Sequence, residues 1–199
     1  MSAIAAPYGL KPLNLIGGLP YAGSTREIPI ASGYNTNIFY GSVVNIVTSG
    51  TLTLVTTIGT VGSAFPAGTI GVFLGCSYTG TDGQKKYAQY WPANQVATDA
   101  VGFVVDDDRC VFQAQCAGSM AQSALGANIG LNAVQSTSTG STLFGNSNVA
   151  LSAAPLTTAE AFRIVGFVNA PGSAVGDAFT DVLVKFNGSQ HSYGNSTGI

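Results

Sequence analysis

Two long stretches of this sequence contain no Asp, Glu, Lys or Arg. The first covers residues 28–81 and the second covers residues 110–159, so together they take up more than half of the 199 residues. Only 8% of the chain is charged, against roughly 25% in an ordinary soluble domain, while 46% is hydrophobic. This composition excludes intrinsic disorder, which needs low hydrophobicity and high charge, and it predicts a chain with a substantial core.

The same composition excludes several classes of partner. Ser, Thr, Asn or Gly interrupts the apolar residues every few positions, so no window is apolar enough for a transmembrane helix and no membrane partner is expected. Seven scattered Lys and Arg residues and a net charge of −2 argue against nucleic acid, because binding to phosphates needs a basic patch. Residues 1–9 carry no cation before their short Ala/Ile stretch, unlike a signal peptide, so we expect synthesis in the cytoplasm.

Short alternating runs rich in Val, Ile, Tyr, Phe and Thr, separated by turn residues, predict an all-β fold. We expect a β-barrel or sandwich of short antiparallel strands, formed by residues 26–199 as a single domain with at most one or two short helices. The candidate helices are residues 119–125 and a segment that begins at a capping-box spacing, Thr157 to Glu160. The candidate strands are residues 38–47, 52–56, 70–78, 86–91, 101–105, 110–115, 163–168 and 181–186.

Two hairpins are predicted within this set of strands. The turn signal Asp82-Gly83 separates residues 70–78 from residues 86–91, so these strands should pair across it. Residues 106–109 should form the tip of a second hairpin, with Val101, Phe103 and Val105 pointing to one side of its first strand.

The first 25 residues differ from the rest of the chain. Pro7, Pro12 and Pro20, together with four glycines, should prevent regular structure, yet the segment is too apolar to remain in water. We predict an extended N-terminal arm over residues 1–25, which either closes its own domain as a strand or lies across a neighbouring subunit. The residues expected at an interface are Tyr8, Leu10, Leu13, Leu15, Ile16 and Leu19.

The sequence offers few side chains for chemistry, and we predict no enzyme activity and no catalytic, cofactor or metal site. The sole histidine, His191, lies in a polar tail and should be solvated; a hydrolase pairing it with Cys116 or Ser192 would need a nucleophile motif that the sequence lacks. Cysteines occur in an odd number without a CxxC pair, so Cys76, Cys110 and Cys116 are expected to be free and buried.

Two further features could bind a ligand but have simpler interpretations. The acidic triplet Asp106, Asp107 and Asp108 could bind a hard cation such as Ca²⁺, but its spacing matches no EF-hand loop and a charged turn explains it. Trp91 could stack on a sugar ring together with Tyr87, since alternation places the two on one face, but a place in the aromatic core is the favoured interpretation.

A β-domain with so few charges and no site suits assembly with other protein. Close-packed contacts between neutral surfaces desolvate few ions, whereas an isolated soluble domain depends on surface charge to stay apart from its copies. Several segments also resemble structural proteins of tailed bacteriophage heads, particularly those of aquatic phages. These segments are residues 6–12 (APYGLKP), 40–44 (YGSVV), 71–76 (GVFLGC), 90–92 (YWP) and 176–177 leading into 182–184.

The resemblance implies a capsid decoration protein, also called a cement protein. In that group small β-barrel proteins, often homotrimers, sit on the outer surface of the virion and clamp neighbouring copies of the major capsid protein. The alternative is a tail-associated or adhesin-like β-domain that binds a glycan or a host surface through Trp91 and the polar loop at residues 135–148.

Overall fold

The computed structural model describes residues 4–59, 64–170 and 173–199. It contains two antiparallel sheets packed together, which confirms the predicted all-β class as a sandwich; the sheets do not close into a barrel. The strands are β1 (Lys11–Leu15), β2 (Arg26–Pro29), β3 (Val43–Ile46), β4 (Leu52–Leu54), β5 (Thr69–Thr79), β6 (Lys85–Ala88), β7 (Val101–Val105), β8 (Cys110–Gln115), β9 (Asn128–Ile129), β10 (Phe162–Phe167) and β11 (Asp181–Phe186).

The strand order explains how distant parts of the sequence meet. One sheet has five strands in the order β1-β8-β11-β10-β9, and the other has β2-β7-β5-β3-β4, with β6 paired to β5. The N-terminal β1 is therefore an edge strand that pairs with β8. The last strand, β11, lies in the middle of the same sheet.

The first predicted hairpin is confirmed. Strands β5 and β6 are antiparallel, and Ser77 lies opposite Tyr87. Between them the N–H of Gly83 donates to the carbonyl of Gly80 at 2.9 Å, which closes the turn around Asp82. Strand β6 ends at Ala88, however, earlier than the predicted strand 86–91.

The second predicted hairpin is wrong. Strand β7 lies between β2 and β5 in one sheet, whereas β8 lies between β1 and β11 in the other. Residues 106–109 therefore connect the two sheets at a corner of the sandwich. The predicted alternation along β7 is kept, because Val105 belongs to the core between the sheets and Val104 to the core on the opposite face.

The six-stranded sheet is buried on both faces. Val43 and Val72 face the five-stranded sheet, while their neighbours Val44 and Phe73 belong to a second core on the opposite side, which the loop around Trp91 covers. Burial on both faces accounts for the nearly continuous burial along β5, a pattern typical of strands covered on both sides. Much of the first neutral stretch is therefore covered by the chain itself.

Neither predicted helix forms as an α-helix. The segment 119–125 contains only a short 3₁₀ helix, Gln122–Ala124, and a second 3₁₀ helix spans Gly188–Gln190. The capping-box segment is not helical because the backbone of Leu156 pairs with Asn128 beside β9, and the Glu160 side chain is buried in the domain. Tertiary pairing overrides the local signal here.

Candidate interaction surface

The N-terminal segment lies on its own domain. Strand β1 pairs with β8, and the N–H of Leu10 donates to the carbonyl of Gly41 at 2.9 Å. Gly9 has a φ of +75°, and a Cβ there would come within 2.8 Å of the Gly41 carbonyl oxygen, so the close approach requires glycine. The expectation that residues 1–25 lack regular structure is wrong for residues 11–15.

Three of the six predicted interface residues pack against the chain's own domain. Leu10 is buried in the core between the sheets, and Leu15 packs against that core. The hydroxyl of Tyr8 is buried, and burial, assisted by the nearby Asp181, raises the pKa of Tyr8 well above its ordinary value. These three side chains stabilise the position of the arm.

The other three predicted interface residues are exposed: Leu13 is 46% exposed, Ile16 38% and Leu19 62%. They lie in one seven-residue segment, in which the N–H of Leu15 donates to the carbonyl of Leu19 at 2.8 Å and forms a tight turn. We call Leu13, Ile16 and Leu19 the arm surface. Exposed apolar side chains this close in sequence present a surface that another protein could cover.

The edge of β1 is protected against pairing with a further strand. Pro12 has no N–H to donate, the pairing register is irregular between Pro12 and Asn14, and Asn14 also bridges to Pro20. A partner at this edge must therefore contact side chains rather than extend the sheet.

The polar loop at residues 135–148 forms a second apolar surface that the sequence analysis missed. Gly140 bridges to Ser147 in a small hairpin, and at its tip Leu143 is 82% exposed and Phe144 69% exposed. Two adjacent large apolar residues inside an otherwise polar run were the signal that could have identified this tip.

His191 is buried, so the prediction of a solvated tail is wrong. The centroid of its ring lies 5.5 Å from that of Phe186 and 5.1 Å from that of Tyr193, and its Nδ1 accepts the N–H of Tyr193 at 3.2 Å. The tail returns to the domain because the N–H of Ser192 donates to the carbonyl of Thr69 at 2.7 Å. Within the described residues no hydrogen bond joins the ring to a Ser or Cys side chain, so the geometry contains no nucleophilic dyad.

Burial lowers the pKa of His191 below its ordinary 6.5. The unfolded chain therefore takes up a proton first as the pH falls, and the stability that neutral His191 contributes is present above about pH 6.5 and lost below it. We expect the free energy of unfolding to fall by up to about 1.4 kcal/mol per pH unit below 6.5 from this group. Urea titrations at pH 7.5, 6.5 and 5.5 should show a smaller decrease in His191→Gln; equal decreases would contradict the assignment.

The acidic triplet lies in the connection between the two sheets, where Asp106 and Asp107 form bonds within the chain. Asp106 pairs with Arg26 at 3.3 Å and accepts a hydrogen bond from the hydroxyl of Tyr193 at 2.6 Å. Asp107 accepts the N–H of Arg109 at 2.8 Å. In the described ranges no three His, Cys, Asp or Glu side chains are placed to hold a metal ion together.

Trp91 belongs to the core, as predicted. It is fully buried, and its ring meets that of Tyr78 edge to face with centroids 5.5 Å apart. Tyr87 is exposed and does not share its face, because β6 ends at Ala88 before Trp91 is reached. Trp91 therefore offers no recognition surface to a glycan or host molecule.

The three cysteines are free and buried, which confirms that prediction. Burial raises the pKa of Cys76, Cys110 and Cys116 to about 12 each. At neutral pH they remain thiols, the unreactive form.

Similarity to known proteins was sought for the whole chain. No family model, curated protein or solved structure matches it. In the described part of the chain, no helix has the length and apolar character that crossing a membrane requires. A function for this chain is therefore inferred from its own surfaces and sequence motifs.

Proposed function

We propose that the chain is a structural virion protein, a decoration protein on the outer capsid of a tailed bacteriophage. The observation that supports this role best is the arm surface, where Leu13, Ile16 and Leu19 stay exposed although the rest of the segment is fastened to the domain. The resemblance of the motifs to phage head proteins indicates the major capsid protein as the partner. It also indicates that the chain itself assembles as a homotrimer.

Docking occurs through side chains, because the edge of β1 is blocked by Pro12 and by the bridge to Pro20. The arm surface and the tip at Leu143 and Phe144 carry no charge, so covering them desolvates no ion. Covering these apolar side chains contributes favourable free energy of roughly 25 cal/mol for each Å² of apolar surface removed from water.

Binding stabilises the head by mass action. A protein that binds only the expanded capsid stabilises that state, by about 2.7 kcal/mol per site at a free concentration of about 100 times Kd. A trimer holds several capsid subunits at once, so weak single contacts give strong retention. The role requires no catalytic group.

Replacing all three arm-surface residues with serine should weaken binding to heads without unfolding the chain. The triple variant Leu13→Ser, Ile16→Ser and Leu19→Ser removes exposed side chains only, so we expect an unchanged far-UV spectrum. Co-sedimentation with heads of the phage that encodes the chain, and the temperature at which those heads release DNA, measure the effect. We expect at least about tenfold weaker binding, the factor that 1.4 kcal/mol gives.

The chain offers a matched control. Val96, Leu125 and Val175 are 62%, 49% and 38% exposed, nearly the same as Leu19, Leu13 and Ile16. Serine at these three positions changes surface hydrophobicity to a similar extent and should leave binding to heads intact. Equal binding by both triple variants, or equal loss, would reject the arm surface as the contact.

A further inference from the structure

A concave pocket of about 410 Å³ opens beside the arm. This volume lies in the range of roughly 300–1,000 Å³ that small-molecule sites occupy. Its lining is polar and aromatic and is formed by Tyr8, Lys11, Tyr40, Gln89, Gln113 and Asn146. Lys11 is the one charged residue among these, and the carboxylate of Asp181 lies behind Tyr8 and Gln113.

The backbone fixes the relative positions of these side chains. Lys11 of β1 lies opposite Gln113 of β8, and Tyr40 bridges to Asn146 of the hairpin at residues 139–148. The Nε2 of Gln89 donates to the Oδ1 of Asn146 at 2.6 Å, which fixes Gln89 beside the paired residues Tyr40 and Asn146. The pocket is thus built from five separate parts of the chain, held together by main-chain pairing and one side-chain hydrogen bond.

Much of the hydrogen-bonding capacity in the pocket is unused. Among the described residues, the Oε1 of Gln89 and the Nδ2 of Asn146 have no hydrogen-bond partner, whereas the side chain of Gln113 lies beside Tyr8 and Asp181. Lys11 forms no ion pair with any described residue. The hydroxyl of Tyr8 is buried beside Gln113 and Asp181, and its raised pKa keeps it protonated at neutral pH.

We propose that this pocket binds one sugar ring of a saccharide, with a carboxylated sugar preferred over a neutral one. Each amide can donate to one hydroxyl and accept from another, which matches the alternating donors and acceptors around a sugar ring. Tyrosine rings offer apolar faces for the C–H side of the sugar. Lys11 supplies the charge that a uronic or sialic acid carboxylate would meet. The proposal is independent of the capsid role.

A glycan array with neutral, acetamido and carboxylated sugars tests this site on the full chain. We expect retention of carboxylated glycans, confirmed in solution by saturation-transfer NMR with the retained sugar. Gln113→Ala and Asn146→Ala should each weaken binding about two- to tenfold, the loss expected for one or two hydrogen bonds. Lys11→Met should remove the preference for the carboxylated sugar while leaving binding of its neutral counterpart. Gln122→Ala, an exposed amide that does not line the pocket, serves as the matched control.

Several results would overturn the proposal. An array on which the wild-type chain retains no glycan would do so, as would glycan binding that survives the Gln113→Ala and Asn146→Ala substitutions in folded protein. An empty array together with Lys11-dependent binding of purified heads would instead identify the pocket as a contact for a protein carboxylate. Thermal denaturation of each variant distinguishes a lost site from an unfolded chain.

Discussion

Replacing Phe186 with alanine is expected to lower the free energy of unfolding by about 3–5 kcal/mol. The side chain is buried at the centre of the core between the sheets, and its ring centroid lies 4.8 Å from that of Phe162 and 5.9 Å from that of Phe112. It also contacts the ring of His191, so its loss opens a cavity between the core and the C-terminal tail. Urea denaturation followed by tryptophan fluorescence measures the change.

Phe144 provides the matched control for this substitution. It is the same residue type at the exposed hairpin tip, so Phe144→Ala should change the free energy of unfolding by no more than about 0.5 kcal/mol. Similar losses for Phe144→Ala and Phe186→Ala would mean that the core is not where the structure places it.

Replacing Gln135 with leucine is expected to cost about 2–5 kcal/mol. The amide is 1% exposed; its Oε1 accepts the N–H of Val43 at 2.9 Å, and its Nε2 donates to the carbonyls of Val43 at 3.0 Å and Val55 at 2.7 Å. The Val43 carbonyl keeps a second partner, the N–H of Val55 at 3.1 Å. The buried N–H of Val43 and the buried carbonyl of Val55 would therefore each lose the hydrogen bond to the Gln135 amide. Leaving such a group without a partner costs about 1–3 kcal/mol.

The exposed Gln122 is the control, because its side chain forms no hydrogen bond to any described residue. Gln122→Leu should alter the free energy of unfolding by less than about 0.5 kcal/mol. A Gln135→Leu protein as stable as the wild type would contradict the assigned bonds. Binding partners do not affect this comparison, because the free energy of unfolding of both variants is measured on the free chain.

Local pattern predicted the bounds of several strands, but it predicted pairing correctly only for two strands adjacent in sequence. The alternation and the Asp82-Gly83 signal placed β5 and β6 beside each other, and both ends of β7, β8 and β11 were placed correctly. Pattern could not assign strands to sheets: residues 106–109 look like a hairpin tip but join two layers. Pairing with strands that are distant in sequence determines that β7 and β8 belong to different sheets.

The sequence predicted which segment carries the candidate surface, but not which side chains of that segment are exposed. The arm has no regular period, because proline and glycine interrupt it, so the sequence could not tell buried Leu10 from exposed Leu13. Gln135 and His191 were missed for the opposite reason: polar neighbours suggested solvent, while contacts to distant backbone and rings bury both.

The neutral stretches also proved to have two uses. Residues 28–81 contain β3, β4 and β5 of a sheet that the chain itself covers on both faces, so an internal core explains their lack of charge. The second stretch, residues 110–159, leaves Leu143 and Phe144 at the surface. The proposal that other protein covers this chain therefore depends on the arm surface and the hairpin tip.

Hydroxyl-radical footprinting of the chain, free in solution and mixed with the phage heads that it is proposed to decorate, tests that proposal most directly. We predict that Leu13, Leu19 and Phe144 are oxidised readily in the free chain and become protected on the particle, while the exposed control residue Val96 is oxidised equally in both states. Failure of the chain to sediment with heads, or unchanged oxidation of the arm surface and the tip on the particle, would contradict the account.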